Sequence, residues 1–190
     1  MPGSSVDKEE LRSHFLKKRN ALSGTIANEK SQRIINRVLK TKEFQLANII
    51  HSYASIQKKR EVDTTRFLET CLQMNKQVVV PKMKEGGRLN HFAIDSLDDL
   101  SENSLGIPEP VNGREIPVGD LDLVIVPMVA GDRSKNRIGY GAGYYDRFLQ
   151  SCSAPKIGLL FDCQLYDNTL PVENFDIPLD ILITESERIE

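Results

Sequence analysis

Leu121-Asp122-Leu123-Val124-Ile125-Val126-Pro127 is followed closely by Lys135-Asn136-Arg137-Ile138-Gly139-Tyr140-Gly141-Ala142-Gly143-Tyr144-Tyr145-Asp146-Arg147. The first run is almost wholly apolar and rich in β-branched residues, the pattern of a strand buried on both faces. The second places glycine at alternate positions and then opens a helix near Tyr144. Glycine lets a backbone run close to a ligand, and successive N–H groups can converge on an anion. Strand, glycine loop and helix N-terminus in that order make a phosphate site. Arg137 supplies a cation for phosphate oxygens, and Asp146 a hard oxygen ligand for magnesium. The run is not the dinucleotide fingerprint, which needs a different glycine spacing early in a βαβ unit. Nor is it a Walker A loop, since no Gly-Lys-Ser/Thr follows. On chemistry alone, a tight structural loop remains the competing reading.

Working outward, Leu11, Phe15 and Leu22 fall on one face of a predicted helix from about Val6 to Leu22. Lys8, Arg12 and Arg19 cluster on one edge of that face. A second helix is predicted from about Ile26 to Lys40 and a third, capped by Thr64, to about Met74. Predicted strands cover Ile49–Ile56, Gln77–Pro81, Leu89–Ile94, Lys156–Phe161 and Ile181–Thr184. Ser96 to Leu100 reads as one helical turn. The two prolines of Gly106-Ile107-Pro108-Glu109-Pro110 predict extended loop. Apolar strands alternating with helices argue for a mostly parallel sheet covered on both faces. No linker divides the chain, so a single domain over 1–190 is expected.

The sequence has 190 residues and a net charge of −2, which offers no electrostatic case for nucleic acid or an anionic membrane. Three cysteines, Cys71, Cys152 and Cys163, show no metal spacing and read as free thiols in a reducing cytoplasm. No signal peptide or membrane span is visible. Met1 to Ser5 read as a disordered start.

Lys8 and Arg12 read first as a solvated basic edge, with ligand contact as the alternative. Glu61 follows a strand, where open α/β sheets bind ligands. Asp180 starts an apolar strand, where an unpaired carboxylate is costly. His14 and His91 read as surface, and His51 as a strand residue of unassigned role.

Taken together the motifs resemble the 5-formyltetrahydrofolate cyclo-ligase family. The matching pieces are Lys8-x-x-Leu11-Arg12 with Arg19, Glu61-Val62-Asp63-Thr64 and Gly106-Ile107-Pro108-Glu109-Pro110. They continue with Asp122 to Pro127, Arg137 to Arg147, and Asp176-Ile177-Pro178-Leu179-Asp180 with Thr184-Glu185. The resemblance implies a three-layer α/β/α fold of Rossmann-like topology that acts on small molecules, and a monomer is expected. It implies a cytoplasmic enzyme that uses ATP and Mg²⁺ to turn 5-formyltetrahydrofolate into 5,10-methenyltetrahydrofolate through a phosphorylated formyl group.

The resemblance assigns ATP contacts to Lys8, Arg12 and the loop Arg137, Ile138, Gly139, Tyr140, Gly141, Ala142, Gly143, Tyr144 and Tyr145. It assigns the metal to Asp146 and Asp180, the folate to Ile56, Glu61 and Tyr144, and the reacting centre to Arg137, Tyr144 and Tyr145. Tyr53 and Met128 are expected as further walls of the pterin slot. The chain departs from the family pattern at Met128, Gly131 and Phe175. A non-catalytic folate or nucleotide binder and a phosphosugar isomerase of similar fold are the competing functions.

Overall fold

The computed structural model describes residues 7–190, so the expected disordered start and the predicted helix start at Val6 lie outside the described residues. Helix α1 (Lys8–Asn20) buries Leu11, Phe15 and Arg19, one residue per turn. Helix α2 (Gly24–Val38) is capped by the Ser23 side chain, which accepts from the Ile26 N–H at 3.3 Å. Its buried stripe is Ala27, Ser31, Ile34, Ile35 and Val38. A short helix α3 (Lys42–Leu46), capped by Thr41, precedes strand β1 (Ile49–Ser52).

Helix α4 (Thr65–Gln73) follows Thr64, but Thr64 is not its side-chain cap. The Thr64 hydroxyl donates to the Tyr53 carbonyl at 2.8 Å, and Asp63 caps instead, accepting from the Thr65 N–H at 2.9 Å. Strand β2 (Gln77–Lys84) turns into β3 (Arg88–Ile94), and a hairpin joins β4 (Leu100–Glu102) to β5 (Pro108–Pro110). The stretch expected as extended loop at Pro108–Pro110 is therefore a ladder strand. Strand β6 (Leu123–Pro127), β7 (Ala130–Asp132) and β8 (Arg137–Ile138) lead through the glycine loop to helix α5 (Tyr144–Gln150). Strands β9 (Lys156–Leu159), β10 (Leu165–Tyr166), β11 (Ile181–Ile183) and β12 (Arg188–Ile189) complete the chain.

The main sheet runs β12-β11-β9-β6-β1-β2-β3, with only the edge strands β12 and β3 antiparallel to their neighbours. Strand order reverses between β1 and β6. Ile50, Val78, Leu123, Ile125 and Ile157 pack one face against α2, α3 and α4. Val79, Val124, Val126 and Leu182 pack the other against α5 through Phe148 and Leu149. Alternation along the strands thus separates two cores, as the period of two demands. Helix α1 packs Leu11 and Phe15 on a third cluster with Ala130 and Ile138 of the small sheet β10-β7-β8.

His91, expected at the surface, is 5% exposed, and His51 beside it is fully buried. Their ring centroids lie 5.0 Å apart, and Phe148 stands 4.7 and 4.3 Å from them. Among the described residues, both His51 nitrogens and His91 Nδ1 lack a hydrogen-bond partner. Burial pushes His51 well below the ordinary histidine value, with His91 adding to the effect, and burial pushes His91 down to about 4. The fold therefore holds neutral rings, whereas the unfolded chain takes up protons below pH 6.5. The stabilisation is complete above that pH and is lost as pH falls toward 4. His91 alone contributes roughly 3 kcal/mol to that loss. The urea midpoint should fall across this window, and His91→Phe should flatten the fall; an unchanged slope in the variant contradicts the assignment.

Candidate functional site

A cavity of about 560 Å³ opens beyond the carboxyl ends of β1, β2 and β6, at the point where strand order reverses. Crevices of this kind are where open α/β sheets bind ligands. Tyr53, Ala54 and Ile56 continue β1 into its wall, so β1 ends at Ser52, short of the predicted Ile56. Pro127 ends β6 at the wall, and Met83 brings in β2. The glycine loop from Arg137 to Asp146 forms a further side, and α1 lays Lys8 and Arg12 along it.

The loop is shaped by left-handed glycines. Gly141 has φ +97°, and a Cβ there would meet the Arg12 guanidinium at 3.3 Å. Gly143 has φ +69° and precedes α5. Arg12 Nε donates to the Gly139 carbonyl at 2.9 Å, and Arg147 Nη2 donates to the Ala142 carbonyl at 2.6 Å. Arg147 Nε also donates to the Gly87 carbonyl at 2.8 Å, which ties the loop to the β2–β3 turn. Among the described residues, the N–H groups of Tyr140, Gly141, Ala142 and Gly143 find no acceptor. Four uncommitted donors on one cavity wall are what an anion requires.

Arg137 is 8% exposed and donates from Nη2 to Asp146 Oδ1 at 2.5 Å, while its buried Nε has no partner among the described residues. Burial pushes its guanidinium down from the ordinary value, against the pull of Asp146, Tyr145 and Asp176. Lys8 pairs with Glu173 at 2.7 Å and with Asp176. Burial opposes the Lys8 charge, but the Asp176 and Glu173 carboxylates outweigh it and hold the ammonium above its ordinary value. Phe175, 60% exposed, stands at the cavity wall with Lys8 Nζ 5.7 Å from its ring.

A chain of polar groups links α1 and the glycine loop to the segment that follows β1. Arg19 Nη2 donates to the Tyr140 hydroxyl at 2.9 Å, and that hydroxyl donates to Glu61 Oε1. Glu61 Oε2 accepts from the Ile56 N–H at 2.7 Å. Burial and then the Glu61 charge push the Tyr140 hydroxyl above its ordinary value, so it stays protonated and donates. Burial and Glu61 do the same to Tyr145, whose hydroxyl has no partner among the described residues. Tyr144 lines the cavity with the Arg147 guanidinium 5.8 Å from its ring.

The structure therefore gathers Lys8, Arg12, Ile56, Glu61, Arg137 to Tyr145 and Asp146 around one cavity. It does not bring Asp180 there. Asp180 precedes β11, at the sheet edge opposite the cavity, and its Oδ2 accepts from the Lys156 N–H at 2.7 Å. Asp176, four residues earlier, is the carboxylate on the cavity wall. Met128 is also displaced: it is 3% exposed and packs in the α5-side core over Gly158. Tyr53 lines the cavity, its hydroxyl donating to the Val62 carbonyl at 2.9 Å. Sequence reasoning missed Glu109, which the strand β5 delivers to the same cavity.

Among the described residues, no donor reaches Asp146 Oδ2 or Asp176 Oδ1, since Asp176 Oδ2 takes Lys8 and the Glu173 N–H. Two hard oxygens suit magnesium, which is held by one or two carboxylates together with phosphate oxygens. Among the described residues no group of three or more His, Cys, Asp or Glu gathers as a closed metal cage.

Tyr140→Phe removes the bridge between two buried charges. It should cost about 1–3 kcal/mol of unfolding free energy. The urea midpoint measures this, and an unchanged midpoint contradicts the bridge.

The sequence profile of the 5-formyltetrahydrofolate cyclo-ligase family matches residues 4–185. The 5-formyltetrahydrofolate cyclo-ligase of Haemophilus influenzae is 31% identical over 184 residues, covering 93% of this chain and 97% of its own. That of Escherichia coli K12 is 32% identical, covering 90% and 96%. The NMR structure of Aquifex aeolicus 5,10-methenyltetrahydrofolate synthetase superposes with a TM-score of 0.86 at 34% identity, covering 96% of this chain and 92% of its own. The 5,10-methenyltetrahydrofolate synthetase of Mycoplasma pneumoniae superposes with a TM-score of 0.76 at 25% identity, covering 95% and 99%.

Proposed function

Because the chain belongs to the 5-formyltetrahydrofolate cyclo-ligase family, we propose that its switch-point cavity converts 5-formyltetrahydrofolate to 5,10-methenyltetrahydrofolate with ATP and Mg²⁺. The observation that carries this reading is the cavity's two-ended chemistry. One end offers uncommitted loop N–H groups with Lys8, Arg12 and Arg137; the other offers the apolar walls Tyr53, Ile56, Met83 and Leu89. The first end suits a triphosphate and the second a flat pterin. The residues that line the cavity come from every part of the chain between Lys8 and Asp176, which supports a single domain, and we propose that it acts as a monomer. No helix among the described residues is long and apolar enough to cross a membrane. Three free cysteines support a reducing compartment, and we place the activity in the cytoplasm.

The formyl oxygen on N5 is amide-like, a weak nucleophile and a poor leaving group. In the proposed reaction it attacks the γ-phosphorus of ATP, and the bond to the bridging oxygen breaks to release ADP. The formyl carbon is then activated by a phosphate leaving group. N10 donates its electron pair to that carbon, loses its proton to solvent, and phosphate leaves with the former formyl oxygen. Catalysis of such a transfer is mainly positioning and neutralisation of charge on the moving phosphoryl group. The loop N–H groups hold phosphate oxygens, and Arg137, buried and anchored by Asp146, supplies a fixed positive charge. Asp146 and Asp176 would hold magnesium, which supplies Lewis-acid polarisation and charge neutralisation. Lys8 and Arg12 orient the triphosphate from α1. Ile56, Glu61 and Tyr144 face the folate, with Tyr144 and Tyr145 excluding water where the two substrates meet.

A cyclo-ligase needs ATP, whereas a phosphosugar isomerase does not, and a mere binder gives no product. The near-ultraviolet absorbance of the methenyl product should rise only when 5-formyltetrahydrofolate, ATP and Mg²⁺ are all present. Binding of folate or ATP without that rise contradicts the reading. Asp146→Ala and Asp176→Ala should each lower kcat at least about 100-fold, while Asp180→Ala stays within about twofold because it lies outside the site. Arg137→Ala should raise the KM for ATP, and Glu61→Ala the KM for folate. Equal losses for Asp176 and Asp180 would undo the metal assignment.

A further inference from the structure

Two glutamates stand in the folate end of the cavity, and their oxygens are committed differently. Glu61 spends Oε1 on Tyr140 and Oε2 on the Ile56 N–H. Glu109 spends Oε1 on the Met83 N–H at 2.8 Å, and among the described residues no donor reaches its Oε2. This arrangement follows from the sheet. β1 pairs with β2 only through Val79, so beyond that point one edge of β2 is open. Pro81 has no N–H to lose there, and Met83 needs an acceptor from elsewhere. Strand β5 supplies it. Pro108 and Pro110 restrict the backbone on either side of Glu109, and Lys82 Nζ donates to the Pro110 carbonyl at 2.9 Å.

Glu109 is thus a fixed carboxylate, 9% exposed, on the cavity wall beside Met83, Leu89 and Ile107. An uncommitted carboxylate oxygen among apolar groups is costly unless the ligand brings a donor. A tetrahydropterin carries two adjacent donors on one edge, the 2-amino group and N3–H. A carboxylate is the acceptor that matches such a pair.

We propose that Glu109 determines specificity for the pterin, its Oε2 accepting from the 2-amino and N3–H edge while Oε1 stays on the Met83 N–H. The inference rests on the cavity being the folate site. N5 lies across the bicyclic ring from that edge. Anchoring at Glu109 therefore turns the formyl group away from β5 and toward the glycine loop. Glu61, with both oxygens engaged, is left to shape the wall.

The test compares 5-formyltetrahydrofolate with its 2-desamino analogue, in steady-state turnover and by calorimetry. Sites built to bond a donor reject an analogue that lacks it, so the unaltered protein should bind the analogue at least about tenfold more weakly. In Glu109→Gln the amide oxygen can keep the Met83 bond, but its NH₂ then opposes the pterin donors. The folate KM should rise about 10- to 100-fold with a far smaller change in kcat, an unchanged KM for ATP, and loss of discrimination against the analogue. A merely structural role for Glu109 would move all three constants and leave the discrimination intact. Parent-level discrimination in the variant overturns the proposal. So does binding of the analogue by the unaltered protein within threefold of the folate, a result that does not depend on the variant folding. If the unaltered protein neither binds nor converts 5-formyltetrahydrofolate, the folate reading itself fails and this inference falls with it.

Discussion

β1 and β6 lie side by side and run the same way, yet the chain leaves them for opposite faces of the sheet. After β1 it enters α4 on one face; after β6 it reaches α5 on the other. No connection can cover the crevice between their carboxyl ends, and the cavity sits there. Everything chemical depends on that reversal. Tyr53 and Ile56 reach the cavity because β1 stops at Ser52, and the glycine loop reaches it because it follows β6. Helix α1 lies outside the main sheet and packs on the small one, which leaves Lys8 and Arg12 to close the cavity's side.

The second constraint is charge. Arg137 and Arg19 are both nearly buried, and each is held by acids through a defined contact: Arg137 directly by Asp146, Arg19 through the Tyr140 hydroxyl to Glu61. Buried charge is tolerable only with such partners. The same groups that meet this folding cost divide the cavity. Cations and open N–H groups collect near α1 and the loop, while single carboxylates punctuate the apolar end. The triphosphate and the pterin of the proposed reaction would therefore have separate places in a cavity that Tyr144 and Tyr145 also line.

Much of this was legible in the residues. Leu123 to Val126 and Val78 to Val80 are apolar on both faces, and the sheet buries them on both. The Leu11–Phe15 spacing oriented Lys8 and Arg12 correctly, whereas Arg19, expected on the same surface edge, is buried. Other features leave little trace. Strands β7, β8 and β10 have two or three residues, too few for a period to show. Pro108-Glu109-Pro110 lacks two ladder donors and reads as loop, yet an edge position tolerates it. The burial of His91 depends on Phe148 arriving from α5. The carboxylate near the C-terminus is different, because a signal was present. Asp180 sits before β11, hence at the amino edge of a parallel sheet, whereas ligands bind at the carboxyl edge. That rule points away from Asp180, and the packed chain supplies Asp176.

The central claim is that the cavity joins a phosphoryl group to the formyl oxygen before the ring closes. Labelling that oxygen with ¹⁸O and following it by mass spectrometry of the released phosphate tests it directly. Transfer through a phosphorylated formyl group puts the label in inorganic phosphate, one atom per turnover. Label recovered in water, with unlabelled phosphate, would mean that ATP is hydrolysed separately and that the cavity does not work as described.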